Sequence, residues 1–183
     1  MVFYRGTILT CLAAVVVLAC AACEATSSRT PKSVLSLWQG HSREVFDDNI
    51  DAAAVGLSMD GPSPMSDPFL RERAQTAEVV LRLRVKTVTV DSIGEKSTFH
   101  LELEAEQEPL AGTKLIENKF EVAVAPQSPA YSIARAFDAR LRGHAFIGFL
   151  RHFAGETAEP ELHWHLSADS ADIVAAVQAA TPH

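Results

Sequence analysis

The chain has 183 residues, of which 23 are acidic and 16 are basic, so its formal net charge is −7. An acidic surface argues against nucleic acid and against anionic lipid headgroups as partners. The three cysteines lie at positions 11, 20 and 23, so residues 24–183 have no disulfide, no thiol nucleophile and no cysteine metal site. The length of this remaining part suits one domain of ordinary size.

Residues 1–22 predict a secretory signal peptide. Arg5 supplies a positive start, and Thr7 to Ala22 form an uncharged run that ends in small residues. The run is short for a membrane-spanning helix, which needs roughly 20 apolar residues. We therefore expect export with removal of residues 1–22. An ordinary cleaved signal without lipid and an uncleaved anchor are the alternatives.

The end of this segment contains two matches to a lipobox. Val17-Leu18-Ala19-Cys20 and Cys20-Ala21-Ala22-Cys23 both place small or branched residues before a cysteine, which resembles the signal peptides of bacterial lipoproteins. The resemblance implies that Cys23, or alternatively Cys20, carries palmitate or a related acyl chain and anchors the protein to a membrane. It also implies a domain that faces the periplasm or the cell surface. Residues 23–32 then form the lipidated cysteine with a flexible tether, and residues 33–183 form a single domain.

Short helices are predicted before the sheet. Apolar residues between Glu44 and Leu57 recur on one helix face, with the acidic residues Asp47, Asp48 and Asp51 on its exposed side or near its N-terminus. A cation site or catalytic carboxylates are the alternative interpretation of these acids. Asp67-Pro68 has the pattern of an N-cap followed by a first-turn proline, which predicts a second helix.

Two alternating segments predict a β-hairpin. Apolar and basic residues alternate from Val79 to Lys86, and apolar and acidic residues alternate from Phe99 to Glu106. One antiparallel register satisfies both faces, whereas a slip by one residue would reverse them. It predicts these opposed pairs: Lys86–Glu102, Arg84–Glu104, Arg82–Glu106, Val85–Leu103 and Leu83–Ala105.

Three further strands and two helices complete the pattern. Strands are predicted at 114–125, 145–153 and 161–167, and the apolar segment 145–153 is expected to be a buried central strand. A helix is predicted from Ser128-Pro129 to Gly143, with an irregular strand as the alternative. A last helix is predicted over 171–180 after a cap at Asp169 or Ser170.

The order of these elements predicts an α+β domain. We expect a mainly antiparallel five-stranded sheet or a small OB-like barrel with flanking helices. Five strands with a helix between the third and the fourth resemble the OB-type Greek-key barrel. An antiparallel sheet with helices on one face is the alternative.

The last predicted strand carries the candidate metal site. Glu161, His163 and His165 lie two residues apart, so their side chains point to one face of the strand. Imidazole and carboxylate groups are zinc ligands, which makes zinc binding by these residues a hypothesis. The alternative is that both histidines coat an exposed face while Leu162, Trp164 and Leu166 face the core.

The sequence predicts no catalytic residue. It contains no Gly-rich phosphate loop, no GxSxG elbow and no HExxH motif. The leading interpretation is a non-enzymatic, lipid-anchored binding or structural module of the cell envelope, whose partner is a protein or another envelope component. A metal-binding protein or metal-dependent hydrolase is the alternative, and a carrier of a small apolar ligand is a third possibility.

Overall fold

The computed structural model describes residues 35–57, 61–94, 96–113, 118–155, 157 and 159–181. They belong to one compact unit, Val34–His183. The predicted signal peptide, Cys20, Cys23 and the tether lie outside the described residues. No helix in the described ranges combines the length and the hydropathy needed to cross a bilayer.

Helices and strands alternate irregularly along the described residues. The α-helices are α1 (His41–Val45), α2 (Pro68–Thr76), α3 (Tyr131–Leu141) and α4 (Ala171–Ala180), and 3₁₀ helices span Ala52–Val55 and Pro64–Ser66. The strands are β1 (Asn49–Ile50), β2 (Val79–Ile93), β3 (Lys96–Ala105), β4 (Ala111–Gly112), β5 (Lys119–Val124), β6 (Ala145–Ala154) and β7 (Pro160–Ala168).

The strands form one curled, mixed sheet with the order β1-β7-β6-β2-β3-β5, and β4 pairs with the start of β2. The α+β class is therefore confirmed. The mainly antiparallel character of the sheet is also confirmed, since β1 and β7 are the one parallel pair among the described strands. The predicted number of five strands is wrong, because β1 and β4 add two short strands. A closed barrel would need β5 to pair across to β1 or β7, and no such pair occurs among the described residues. The sheet is thus an open half-barrel and not a closed OB-like barrel.

A β-bulge at Lys86 displaces the outer part of the β2–β3 hairpin by one residue. Thr87, not Lys86, lies opposite Glu102, and its hydroxyl donates to that carboxylate at 2.6 Å. Lys86 instead reaches Glu104 diagonally, with Nζ 2.8 Å from Oε2. The predicted pair Lys86–Glu102 is therefore wrong. Three predicted backbone pairs are confirmed: Arg84–Glu104, Val85–Leu103 and Leu83–Ala105.

The charged side chains at the inner end of the hairpin also pair diagonally. The Glu106 N–H donates to the Arg82 carbonyl at 3.0 Å, so these backbones are opposed as predicted. The Glu106 carboxylate, however, accepts from Arg84. Arg82 pairs with Asp169, whose Oδ1 lies 3.0 Å from Nε. The predicted side-chain pair Arg82–Glu106 is wrong because a second carboxylate, on the segment after β7, lies within reach.

The helix caps follow the sequence closely. The Asp67 carboxylate accepts from the Phe69 N–H at 2.9 Å, and α2 begins at Pro68 as predicted. Ser170 Oγ accepts from the Ile173 N–H at 3.2 Å and caps α4, whose predicted bounds are confirmed. Helix α3 is also confirmed, although it begins at Tyr131 and not at Pro129.

The predicted helix over residues 44–57 is wrong. Helix α1 ends at Val45, and Asp48 adopts a φ of 50°, a left-handed conformation that Asp tolerates better than most residues. The chain then runs as β1 along β7 before the 3₁₀ helix Ala52–Val55. The helical spacing of the apolar residues is real, but their side chains enter different parts of the core.

The central part of the sheet is buried on both faces, whereas β3 and β5 are buried on one face only. One core cluster holds inward residues of β2, β3, β5, β6 and β7 together with Ala134 and Leu141 of α3. The other lies under α1, α2 and α4 and includes Phe149 and Phe153 of β6. Strand β6 lies between β7 and β2, which confirms the predicted buried central strand.

Candidate functional site

Residues 46–51, called here the strap, run along β7 and are fixed by backbone hydrogen bonds. The Asp48 N–H donates to the Trp164 carbonyl at 2.9 Å, and the Asp51 N–H donates to the Leu166 carbonyl at 2.8 Å. Phe46 and Ile50 are each 1% exposed and anchor the strap in the two core clusters. This arrangement brings the three strap carboxylates to the histidine-bearing face of β7.

His165 is held between two carboxylates of the strap. Its Nδ1 lies 2.7 Å from Asp47 Oδ1, and its Nε2 lies 3.1 Å from Asp51 Oδ1. An ionised carboxylate only accepts hydrogen bonds, and a neutral imidazole has a single N–H. Two carboxylate partners therefore favour the doubly protonated, charged imidazolium, although the residue is only 2% exposed. Ser167 Oγ donates to the second oxygen of Asp51 at 2.6 Å.

The pKa shifts of His165 and Asp51 agree with an ion pair. Burial is the largest single influence on His165 and lowers its pKa, but the hydrogen bonds to Asp47 and Asp51 outweigh it, so the net pKa lies above 6.5. Burial alone would raise the pKa of Asp51. The hydrogen bonds and charge of His165, with the Ser167 hydroxyl, reverse that effect and leave the net pKa below 3.8. Arg73 on α2 interacts electrostatically with both groups.

His163 forms a second, separate pair with the strap. Its Nδ1 lies 2.8 Å from Asp48 Oδ2, while Asp48 Oδ1 accepts from the Trp164 N–H at 3.0 Å. The Trp38 ring stacks on the imidazole with 3.6 Å between centroids, and Trp38 Nε1 donates to the Phe46 carbonyl at 2.7 Å. The chain segment before α1 thus covers this pair and is joined to the strap. These residues together are called the Asp–His cluster: Asp47, Asp48, Asp51, His163, His165 and Ser167.

The prediction that the histidines coat an exposed face is wrong. His163 and His165 are 8% and 2% exposed, because the strap lies over them and α1 and α2 cover the neighbouring part of the sheet. The side chain of Glu161 remains 55% exposed. Trp164 is 3% exposed and packs in the core, as predicted.

The predicted metal ligands share one face of β7 but do not make a complete site. No group of three or more His, Cys, Asp or Glu side chains is placed to hold a metal ion in the described part of the chain. Both nitrogens of His165 are already engaged by carboxylates. His163 Nε2 is buried without a hydrogen-bond partner among the described residues, and Glu161 Oε2 lies 4.0 Å from it. Zinc takes three or four such ligands, so zinc binding stays a prediction.

A pocket of about 390 Å³, called here the seam pocket, lies where the half-barrel is open. Ser128 Oγ donates to the Asp48 carbonyl at 2.9 Å and joins its two walls. Its volume lies within the range of small-molecule sites, about 300–1,000 Å³. One wall comes from Trp38, Arg43, Asp47 and Asp48, and the other from Ala123, Ala125, Gln127, Ser128 and Pro129.

Comparison with protein-family models, with curated proteins and with solved structures found no match. What the site can do follows from its own atoms. Three of the four imidazole nitrogens of the Asp–His cluster bond to carboxylates of the strap and hold it on β7. The fourth, Nε2 of His163, is buried. The seam pocket presents carboxylates, a guanidinium, a side-chain amide and small apolar groups, which suits recognition of a mixed polar and apolar ligand.

The sequence reasoning missed two contacts of this region. Ser167 lies two residues after His165, so period-two spacing alone places it on the same strand face. Residues 33–38 were expected to dock on the domain as a short apolar patch, and Trp38 does so through His163 and the Phe46 carbonyl. Ser128 was assigned to a helix cap. Its hydroxyl does accept from the Ala130 N–H at 3.3 Å but also donates to the strap.

Proposed function

We propose that this chain is an exported, lipid-anchored protein of the cell envelope whose domain is a non-enzymatic binding module. The observation that supports it best is the seam pocket, formed between the strap and the end of β5 beside a cluster whose imidazoles are engaged internally. The lipobox-like segment before Cys23 supports the anchor, and the polar tether supports a domain held away from the membrane.

Site-specific photocrosslinking in intact cells tests the binding function. A photoreactive residue at Gln127 lies in the wall of the seam pocket, whereas the same residue at Arg71 is exposed on α2 and lines a different pocket. We expect a discrete crosslinked product from position 127 and none at the same mass from position 71. If neither position, nor other positions around the seam pocket, gives a specific product, the binding module is refuted.

Membrane fractionation and intact-protein mass test the anchor. We expect Cys23→Ser to release the protein from membranes and to abolish the mass increase from the acyl chains. Cys11→Ser is the matched control, because Cys11 lies outside both lipobox matches, and it should leave both unchanged. If Cys20→Ser abolishes the mass increase and Cys23→Ser does not, the acyl chain is on Cys20. If neither single variant nor their combination changes the mass or the fractionation, the lipid anchor is refuted.

A metal-binding protein is the second candidate. The observation that favours it is the buried Nε2 of His163, without a partner among the described residues and 4.0 Å from Glu161 Oε2. Metal content by mass spectrometry of natively purified protein, compared with a His163→Ala/His165→Ala variant, tests this candidate. Stoichiometric metal in the wild type that is lost in the variant supports it. A metal-free wild type that is equally stable with and without chelator refutes it.

A further inference from the structure

Along the outer edge of β5, the backbone N–H and C=O groups of alternate residues have no partner among the described residues. Strand β5 has β3 as its one neighbour in the described sheet, and the Ala105 N–H donates to the Asn118 carbonyl in register with that ladder. Bonded and non-bonded pairs alternate along an antiparallel ladder. Phe120, Val122 and Val124 therefore bond to β3, and the N–H and C=O groups of the alternate residues point away from it: Lys119, Glu121 and Ala123.

This edge is held rigidly and is accessible. Val122 and Val124 are 4% and 0% exposed and fix the strand in the core. The side chains of Lys119 and Glu121 are 59% and 68% exposed, and Ala123 is also exposed. The three outward residues thus offer three N–H donors and three carbonyl acceptors at the spacing of an added strand. Such an edge is a template for another polypeptide.

The side chains on the edge define what an added strand should carry. Residues directly opposite each other in a ladder favour opposite charge, and this chain follows that rule where Glu104 lies opposite Arg84 on one side and Lys119 on the other. It departs from the rule where Glu121 lies opposite Glu102; Lys119 Nζ lies 3.4 Å from Glu102, and His100 Nδ1 lies 2.9 Å from Glu121. A basic residue on the outer side of Glu121 would offset this like-charge pair. An acidic residue therefore fits opposite Lys119 and a basic residue fits opposite Glu121. Ala123 is small and lines the seam pocket, so a bulky side chain opposite it has space to enter that pocket.

The same charges distinguish a second copy of this chain from a different segment. Two β5 strands related by a two-fold axis pair all three outward residues only when Glu121 of one copy lies opposite Glu121 of the other, and like charges directly opposite destabilise a ladder. A register shifted by two residues places Lys119 opposite Glu121, but it leaves Ala123, beside the seam pocket, without an opposed residue of the second β5 strand. A different segment can pair favourably with all three outward residues.

We infer that the edge of β5 binds an extended segment of a partner protein as an added strand. The partner places an acidic residue opposite Lys119, a basic residue opposite Glu121 and a bulky apolar residue in the seam pocket beside Ala123. This inference rests on the proposed binding function and names the class of partner.

Two synthetic nine-residue peptides test the inference on the full chain in detergent. In both peptides, valines alternate with three recognition residues: a glutamate opposite Lys119, a lysine opposite Glu121 and a phenylalanine opposite Ala123. From the N-terminus, the first peptide has the order phenylalanine, lysine, glutamate, which suits antiparallel pairing with β5. The second peptide has the reverse order, which suits parallel pairing. We expect one of them to bind and to slow amide hydrogen exchange at Lys119, Glu121 and Ala123. Glu121→Lys should weaken binding about tenfold, because an attractive pair becomes repulsive. The matched control Glu78→Lys makes the same charge change at an exposed site outside β5 and should have no effect.

A peptide with the reversed charge at the position opposite residue 121 tests whether this residue pairs with the peptide in the proposed register. Replacing the peptide lysine by glutamate should restore binding to the Glu121→Lys variant and weaken binding to the wild type. Absence of binding by either peptide overturns the inference, as does binding without protection of the β5 amides or without response to Glu121→Lys. A peptide that binds only at the seam pocket overturns the strand pairing and leaves the proposed binding function standing. The photocrosslinking at Gln127 tests that function separately.

Discussion

We expect the Asp51→Asn substitution to weaken the fold by removing one carboxylate from His165. Asp51 accepts from His165 Nε2 at 3.1 Å and from Ser167 Oγ at 2.6 Å. An asparagine has nearly the same shape but no charge, and its amide nitrogen cannot accept from either donor. The variant therefore leaves the buried imidazolium with one charged partner.

The magnitude follows from the kind of bond and its exposure. A hydrogen bond to a charged group contributes about 1.5–3 kcal/mol to stability. The Asp51 side chain is 39% exposed, so solvent screening reduces this contribution. We expect the free energy of unfolding to fall by about 1–2 kcal/mol.

The effect should depend on pH with a defined sign. Since folding raises the pKa of His165, its contribution is complete below 6.5 and is lost as the pH rises through the folded-state pKa. Since folding lowers the pKa of Asp51, its contribution is complete above 3.8 and is lost as the pH falls through the folded-state pKa. The pair thus stabilises the wild type most between these two values. In Asp51→Asn the decline above 6.5 should be smaller, because one of the groups that raises the pKa of His165 is absent.

Urea unfolding followed by far-ultraviolet circular dichroism, at about pH 5 and about pH 8, measures both effects. Asp91→Asn is the matched control, because Asp91 lies 3.3 Å from His100 Nε2 but its side chain is 76% exposed. Asp91→Asn should leave the free energy of unfolding nearly unchanged at both pH values. The reasoning would be refuted if Asp51→Asn and Asp91→Asn lost equal amounts of the free energy of unfolding. It would also be refuted if Asp51→Asn were as stable as the wild type at the lower pH.

Three further substitutions test the packing around the sheet by thermal or urea unfolding. Gly148→Ala in β6 places a methyl group against the Leu83 side chain, and this overpacking should lower the free energy of unfolding by about 1–3 kcal/mol. An unchanged unfolding midpoint would show that the Leu83 side chain moves aside without cost. Ser170→Ala removes the α4 N-cap and should cost about 1 kcal/mol, so a loss near zero would contradict the capping role. Arg73→Leu leaves the Val45 carbonyl without its 2.7 Å donor and should cost about 1–3 kcal/mol. A stabilised variant would show that burial of the guanidinium outweighs its bonds.

The hairpin shows how far period-two alternation predicts a sheet. It gave the correct register at Val85 and its inner neighbours, because only one pairing buries all the apolar side chains there. It missed the bulge, although the sequence carries a signal for it. The apolar positions are odd-numbered from Leu81 to Val85 and even-numbered at Val88 and Val90, and both Val85 and Val88 are buried. A change of parity within one strand requires an extra residue, and Lys86 is that residue.

The Asp–His cluster could not be predicted for a different reason. Alternation within β7 correctly identified Trp164 as core, but it contains no information on what covers the other face. The covering segment was predicted as a helix because Phe46, Ile50 and Ala54 are spaced four residues apart. The turn at Asp48 depends on long-range contacts with His163 and with the Trp164 backbone. Helical spacing is a local property, and here tertiary pairing prevails over it.

Of the two tryptophans of the chain, Trp38 stacks on His163 beside the strap, whereas the Trp164 side chain packs in the core. The Trp38 part of the intrinsic fluorescence is therefore a local reporter of the strap, whereas circular dichroism averages over the whole backbone. If the strap lifts from β7 before the sheet unfolds, the emission changes at a lower urea concentration than the dichroism. Coincident transitions would instead identify the strap as part of the cooperative unit.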